Sequence, residues 1–158
     1  LELVLQAAPA LAPKILLENT AATKNAVGHR LENIGFIIKS LGSDSRLGFC
    51  LDTCHAYVSG YDLASKDGLK QTLAAISQHI GLERWFLTHA NDSKGSLNSG
   101  RDRHEHIGKG YIGKSGWQLL MAEPEFRKRP LIIETPKAAG MDAQNIKVLK
   151  ELASGLDR

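Results

Sequence analysis

The sequence predicts an α/β protein built on a parallel sheet, either covered on both faces or closed as a barrel. Two observations carry that expectation. Four short apolar runs are each followed by a helical pattern, and the runs are almost continuously apolar, as strands buried on both faces are. A third observation bears on chemistry: each of the four runs stops at a side chain able to bind a metal ion.

The first run, KILLE (14–18), ends at Glu18. It leads to VGHRLENIGFIIKSL (27–41), where Leu31, Ile34, Ile37, Ile38 and Leu41 share one helical face. The second, RLGFCLD (46–52), ends at Asp52 and precedes a helix over 67–81 that Gly81 terminates. WFLTH (85–89) ends at His89; a long polar loop and a helix over 115–121 follow. PLIIE (130–134) ends at Glu134 before a last helix over 141–154. Residues 1–12 read as the tail of a helix whose own strand is absent, and the chain starts at Leu1 rather than at a methionine. The four units differ in sequence, which excludes a solenoid array. No linker or shift of composition divides residues 1–158, so one domain is expected.

Composition places the chain among ordinary globular proteins, with 42% hydrophobic and 23% charged residues. A net charge of +3 permits an acidic partner such as nucleic acid without requiring one. No apolar run approaches the roughly 20 residues of a membrane span, and no basic-then-apolar signal segment is seen. Cys50 and Cys54 lie in one short stretch and read as buried or partly buried, reduced thiols, so a cytoplasmic setting and no membrane partner are expected. Trp85 and Trp117 are assigned to the core, and His29 and His79 to helix surfaces.

In a parallel sheet the carboxyl ends of all strands lie on one face, where ligands bind. Glu18, Asp52, His89 and Glu134 would therefore converge. A single carboxylate after a strand also serves as a helix N-cap, but three of them meeting without a cation would repel one another. Carboxylate and imidazole together suit Zn²⁺, with Mn²⁺ or Fe²⁺ as alternatives. His55 and the pair Asp102 and His104 form a second candidate set, because a D-x-H spacing puts both side chains on one side of an extended segment. Two adjacent metals point to phosphoester hydrolysis. Lys94, Arg101, Arg103, Lys109 and Lys114 lie in the same loops and would suit phosphate contacts. His106 is read as lying beside the site.

The segments LLENTA (16–21), CLDTCHAYVSGYD (50–62), HANDSKG (89–95), DRHEHIGKGYIG (102–113) and PLIIETP (130–136) resemble those of the endonuclease IV family. The resemblance implies a (β/α)8 TIM barrel of which this chain supplies four units, its C-terminal half. It implies a zinc-dependent hydrolysis of the phosphodiester 5′ to abasic sites in DNA, leaving a 3′-hydroxyl. By motif, Glu18 would bridge two zincs, Asp52, His89 and Glu134 would complete one of them, and His55, Asp102 and His104 would hold another. Glu18 and Glu134 are the catalytic candidates. Three zincs are expected in a complete enzyme, and nothing here corresponds to the two histidines of the third. The partners implied are abasic DNA and the missing half of the barrel, or a second half-barrel. A metal-dependent sugar isomerase or epimerase of related barrel type, or a non-catalytic zinc- or DNA-binding remnant, are the alternatives.

GKGYIGKS (108–115) fits the phosphate-loop pattern letter for letter. It follows a polar loop rather than a buried strand, so a tight turn is expected there and no nucleotide cofactor.

Overall fold

The computed structural model describes residues 1–7, 13–137 and 139–155. Four strands, β1 (Ile15–Glu18), β2 (Leu47–Asp52), β3 (Trp85–His89) and a fourth over Leu131–Ile132, form one sheet. They lie side by side in chain order and all run parallel. Helices follow the strands, so the architecture is that of a partial TIM barrel, as expected. The predicted amino-terminal helix tail is α1 (Glu2–Ala7), and residues 8–12 of that expectation lie outside the described residues.

Helix α2 (Leu31–Ser40) buries Leu31, Ile34 and Ile38 and leaves Phe36 exposed, as the periodicity requires. It begins four residues later than expected: residues 27–30 bend instead, and His29 sits there half-buried, off the helix. Asp52 then caps a short helix, α3 (Thr53–Val58), which is too short for its periodicity to show in the sequence. Helix α4 (Lys66–His79) starts at the Ser65 cap, and Gly81 at φ +94° carries the chain out of it. His79 on its last turn is half-buried, not on an open surface. A two-residue antiparallel pair, β4 (Asp92–Ser93) and β5 (His104–Glu105), organises the long polar loop. Beyond it come α5 (Gly113–Ala122), α6 (Pro124–Arg127), the fourth strand as β6, and α7 (Met141–Ser154). The run PLIIE pairs only through Leu131 and Ile132, so Glu134 stands two residues past the ladder.

Leu47, Phe49, Leu51, Trp85 and Trp117 are buried in one core with Leu31, Ile34, Ile76, Leu120 and Phe126. The opposite face of the sheet is half covered. Leu16, Phe86 and Leu87 are half-buried there, and Ile132 is 48% exposed. Among the described residues β1 and β6 are open edges of the four-stranded sheet. An exposed apolar face between two open edges is what half of a barrel leaves. Among the described residues no helix is long and apolar enough to cross a membrane.

Candidate metal centre

The sheet register explains why the four strand ends converge. Glu18 pairs with Cys50, two residues before Asp52; Asp52 pairs with His89; His89 pairs with Ile132, two residues before Glu134. A shift of two residues preserves the side-chain parity of a strand, so all four face one side. One residue of β3, Phe86, is extra in its pairing with β2, and this irregularity brings His89 into phase.

Glu18, Asp52, His89 and Glu134 form a group whose ligand atoms all lie within 4.8 Å of one another. His55, Asp102 and His104 form another within the same distance. His89 Nδ1 is 3.1 Å from Glu18 Oε1 and 3.3 Å from Glu134 Oε2. Glu18 Oε1 is also 3.4 Å from His55 Nδ1, which places that carboxylate between the groups. Asp52 is fully buried; its Oδ1 accepts the His55 N–H at 2.8 Å as the cap of α3. The cap and the candidate ligand are therefore one residue.

The two histidines of the second group are held in the tautomer that a metal needs. His55 Nδ1 lies 3.0 Å from the Asn19 carbonyl and His104 Nδ1 lies 3.0 Å from the Glu134 carbonyl. A carbonyl can only accept, so each Nδ1 carries a proton and each neutral ring presents a bare Nε2. Those two Nε2 atoms face each other at 3.4 Å, with Asp102 Oδ1 3.3 Å from His55 Nε2. Lone pairs opposed in this way require a proton or a cation between them. A metal-ligating histidine characteristically donates its other N–H to a carbonyl, and the donor set fits a divalent cation.

Charge in the metal-free site follows from the same contacts. Burial works against the Glu18 carboxylate, yet hydrogen bonds with His55 and His89 bring its pKa down to about 2. Burial also opposes the His55 imidazolium, but Glu18, Asp52 and Asp102 raise it to about 9. His89 is raised by its hydrogen bonds with Cys50 and Glu18, and Asp52 is raised by burial. At neutral pH both rings then hold protons that a metal must displace. Uptake of a divalent cation is expected to release about two protons per chain and to tighten as pH rises toward 9. A pH indicator in weak buffer measures this, and uptake without proton release would refute it. Stability of the metal-free chain runs the other way: the His55 contribution is full below 6.5 and is lost as pH rises through about 9.

Cys50 and Cys54 are free and buried, as expected. Cys54 Sγ lies near Asp52 and His104. Burial holds its pKa up at about 12, and its thiol is directed at the Arg103 carbonyl. Sequence reading gave Cys54 no place beside the metal ligands. It likewise assigned no role to Asn19, Asn91 or Asn145, three buried amides that bond the site's segments. Asn145 contacts His106 Nδ1 at 3.1 Å and Thr135 Oγ1 at 2.9 Å. For Asn19 and Asn91 the available signal was adjacency to candidate ligands in the LEN and HAND segments. Lys94, Arg101, Arg103, Lys109 and Lys114 are all exposed; Lys94 and Lys109 line one hollow with Tyr111.

The GKGYIGKS segment does open a helix, α5. Its amides have an internal anion, however. The Asp92 carboxylate, fully buried, accepts from Gly108 N at 2.9 Å, Ile112 N at 3.0 Å and Gly113 N at 3.1 Å. Trp117 Nε1 donates to it at 3.1 Å. A Cβ on Gly110 would stand 2.3 Å from the Ser93 carbonyl oxygen, so that glycine is required by contact.

The parallel sheet and its helices are those of part of a TIM barrel, and the family that matches is the xylose isomerase-like TIM barrel. The model of that family matches residues 1–152, and the chain belongs to it. Within it, the chain is similar to proteins named endonuclease 4. It is 45% identical over 140 residues to the "Probable endonuclease 4" of Methanoculleus marisnigri, covering 88% of this chain and 50% of that protein. It is 40% identical over 149 residues to that of Geobacter sp. strain M21, covering 93% and 53%. On the crystal structure of endonuclease IV from Thermus thermophilus the TM-score is 0.82 at 37% identity, covering 96% of this chain and 54% of the other. The chain thus spans about half the length of the curated relatives it matches, and the resemblance read from its sequence blocks is borne out.

Proposed function

We propose that this chain carries the zinc centre of a DNA repair endonuclease that hydrolyses the phosphodiester 5′ to abasic sites and leaves a 3′-hydroxyl. The observation that carries the reading is the paired ligand groups: two imidazole Nε2 atoms facing each other with Asp102, beside three carboxylates and His89, joined through Glu18. A single-metal isomerase has no use for the second group. The exposed Lys94, Arg101, Arg103 and Lys109 stand on the same loops and would contact DNA phosphates. The open edges at β1 and β6 and the half-covered sheet face call for four further β/α units, which would also bring the ligands of a third zinc.

When bound, divalent cations would neutralise a phosphodiester and lower the pKa of a water. The chain's own residues do the rest. Glu18, held anionic, spans the two groups, and Glu134, half-exposed just past β6, borders the space a phosphate would enter. Backbone carbonyls hold the Nδ1 protons of His55 and His104, so Nε2 is the atom each ring would offer a cation once any proton there is displaced. The loop cations would draw in and register the strand.

The test is incision of a duplex bearing one tetrahydrofuran abasic analogue by the protein with its barrel complete and zinc-loaded. Cleavage 5′ to the analogue with a 3′-hydroxyl product is expected. Turnover of a small sugar with no nicking, or zinc uptake and DNA retention without incision, would overturn the proposal.

A further inference from the structure

We infer that Asn91 is a positioning residue for the metal centre, locking the Asp52 carboxylate and the strand end that bears Glu134 into one fixed relation. The inference rests on the metal-binding reading of these ligands. Asn91 is fully buried two residues beyond His89. Its Nδ2 donates to Asp52 Oδ2 at 2.7 Å, and its Oδ1 accepts the backbone N–H of Glu134 at 2.8 Å. Its own main chain is fixed by Thr53, whose hydroxyl donates to the Asn91 carbonyl at 2.7 Å and accepts its N–H at 2.9 Å. One amide therefore joins the ends of β2, β3 and β6.

Any buried amide needs hydrogen-bond partners. The distinguishing fact is which partners these are: candidate ligands from two other strands. Asp52 receives one donor on each oxygen, the His55 N–H on Oδ1 and the Asn91 amide on Oδ2. Held at both oxygens, the carboxylate cannot turn, and each oxygen keeps a further lone-pair direction for a cation. Glu134 lies beyond the last ladder pair, His89 with Ile132, so the ladder does not fix its main chain. The Asn91 Oδ1 holds its N–H instead, while His104 Nδ1 holds its carbonyl.

Partners that orient metal ligands typically contribute about 10- to 100-fold in affinity. Asn91→Ala should therefore weaken Zn²⁺ binding by about 10- to 100-fold, read by competition with a chelator. Circular dichroism of the metal-free chain would show the fold retained. Asn91→Leu keeps the volume and removes both bonds without setting a second carboxyl beside Asp52, which guards against a failure of the alanine variant to fold through an empty cavity. Loaded with Co²⁺, either variant should show a visible absorption altered in position or intensity, because that spectrum reports coordination geometry rather than stability. Zinc affinity within about twofold of the unsubstituted chain, well under the effect expected of an orienting partner, with superimposable cobalt spectra, overturns the inference and leaves the metal reading standing. An unsubstituted chain that takes up no zinc overturns both.

Discussion

If the proposed zinc centre is right, Asp52→Ala is expected to weaken zinc binding at both residue groups, with affinity falling by at least about 100-fold at the first. Asp52 contributes directly to the group with Glu18, His89 and Glu134. Its Oδ2 also lies 3.7 Å from His104 Nε2, and its Oδ1 caps the helix that aims His55. Removing the side chain deletes a ligand, frees the first turn of α3 at a cost of about 1 kcal/mol, and leaves the Asn91 amide without an acceptor at about 1–3 kcal/mol. Relief of a buried carboxylate, whose pKa burial raises, offsets part of that loss in the metal-free chain. The change in metal binding should therefore exceed the change in metal-free stability. Glu134→Ala is the contrast: its carboxylate is half-exposed and belongs to one group, so zinc should fall there alone. Metal content after dialysis against a weak chelator separates the two variants. Unchanged zinc in both would sink the assignment.

The second large effect is expected at Asp92, outside the metal groups. Its carboxylate accepts backbone N–H groups from Ser93, Gly108, Ile112 and Gly113 and the Trp117 indole N–H. Asn at this position has the same shape but turns one acceptor oxygen into a donor facing those N–H groups. Hydrogen bonds to a charged acceptor are worth about 1.5–3 kcal/mol each, and relief of the buried charge returns some of that. Asp92→Asn should then destabilise the chain by about 3 kcal/mol, lowering the thermal midpoint by roughly 6–12 °C for a chain of this size. Urea unfolding measures it; a loss below about 0.5 kcal/mol, the range of ordinary surface substitutions, would show that these N–H groups find other partners. The effect should reach the metal site as well. Asp92 pairs with Glu105 and Ser93 with His104, so the loop that Asp92 anchors is the one that presents His104.

The Asp92 contacts give the physical reason why a perfect phosphate-loop match carries no phosphate reading here. The letter pattern specifies glycines, a lysine and a hydroxyl, but a loop of amides binds whichever anion is nearest. An aspartate on the adjacent β4 fills it, 16–21 residues upstream of the amides it accepts from.

Much of this protein was legible in one dimension. Apolar runs alternating with helical periodicity dictate parallel β/α units, because a strand buried on both faces has no polar side to alternate with. Glu18, Asp52, His89 and Glu134 at the run ends, and the D-x-H pair at Asp102 and His104, are local facts of the chain, and the structure draws them into two groups. Short elements escaped: α3 and the β4–β5 pair lack the length over which a period can be counted, and residues 27–30, where only Val27 is a large apolar side chain, bend ahead of the helix instead of joining it. What only the tertiary structure decided is which buried polar group meets which. Asn91 reaches Asp52 across 39 residues and Glu134 across 43, and His55 meets His104 across 49. Such pairings arise when neighbouring strands fall into register, and nothing in the identity of an asparagine or a histidine states whose lone pair it will face.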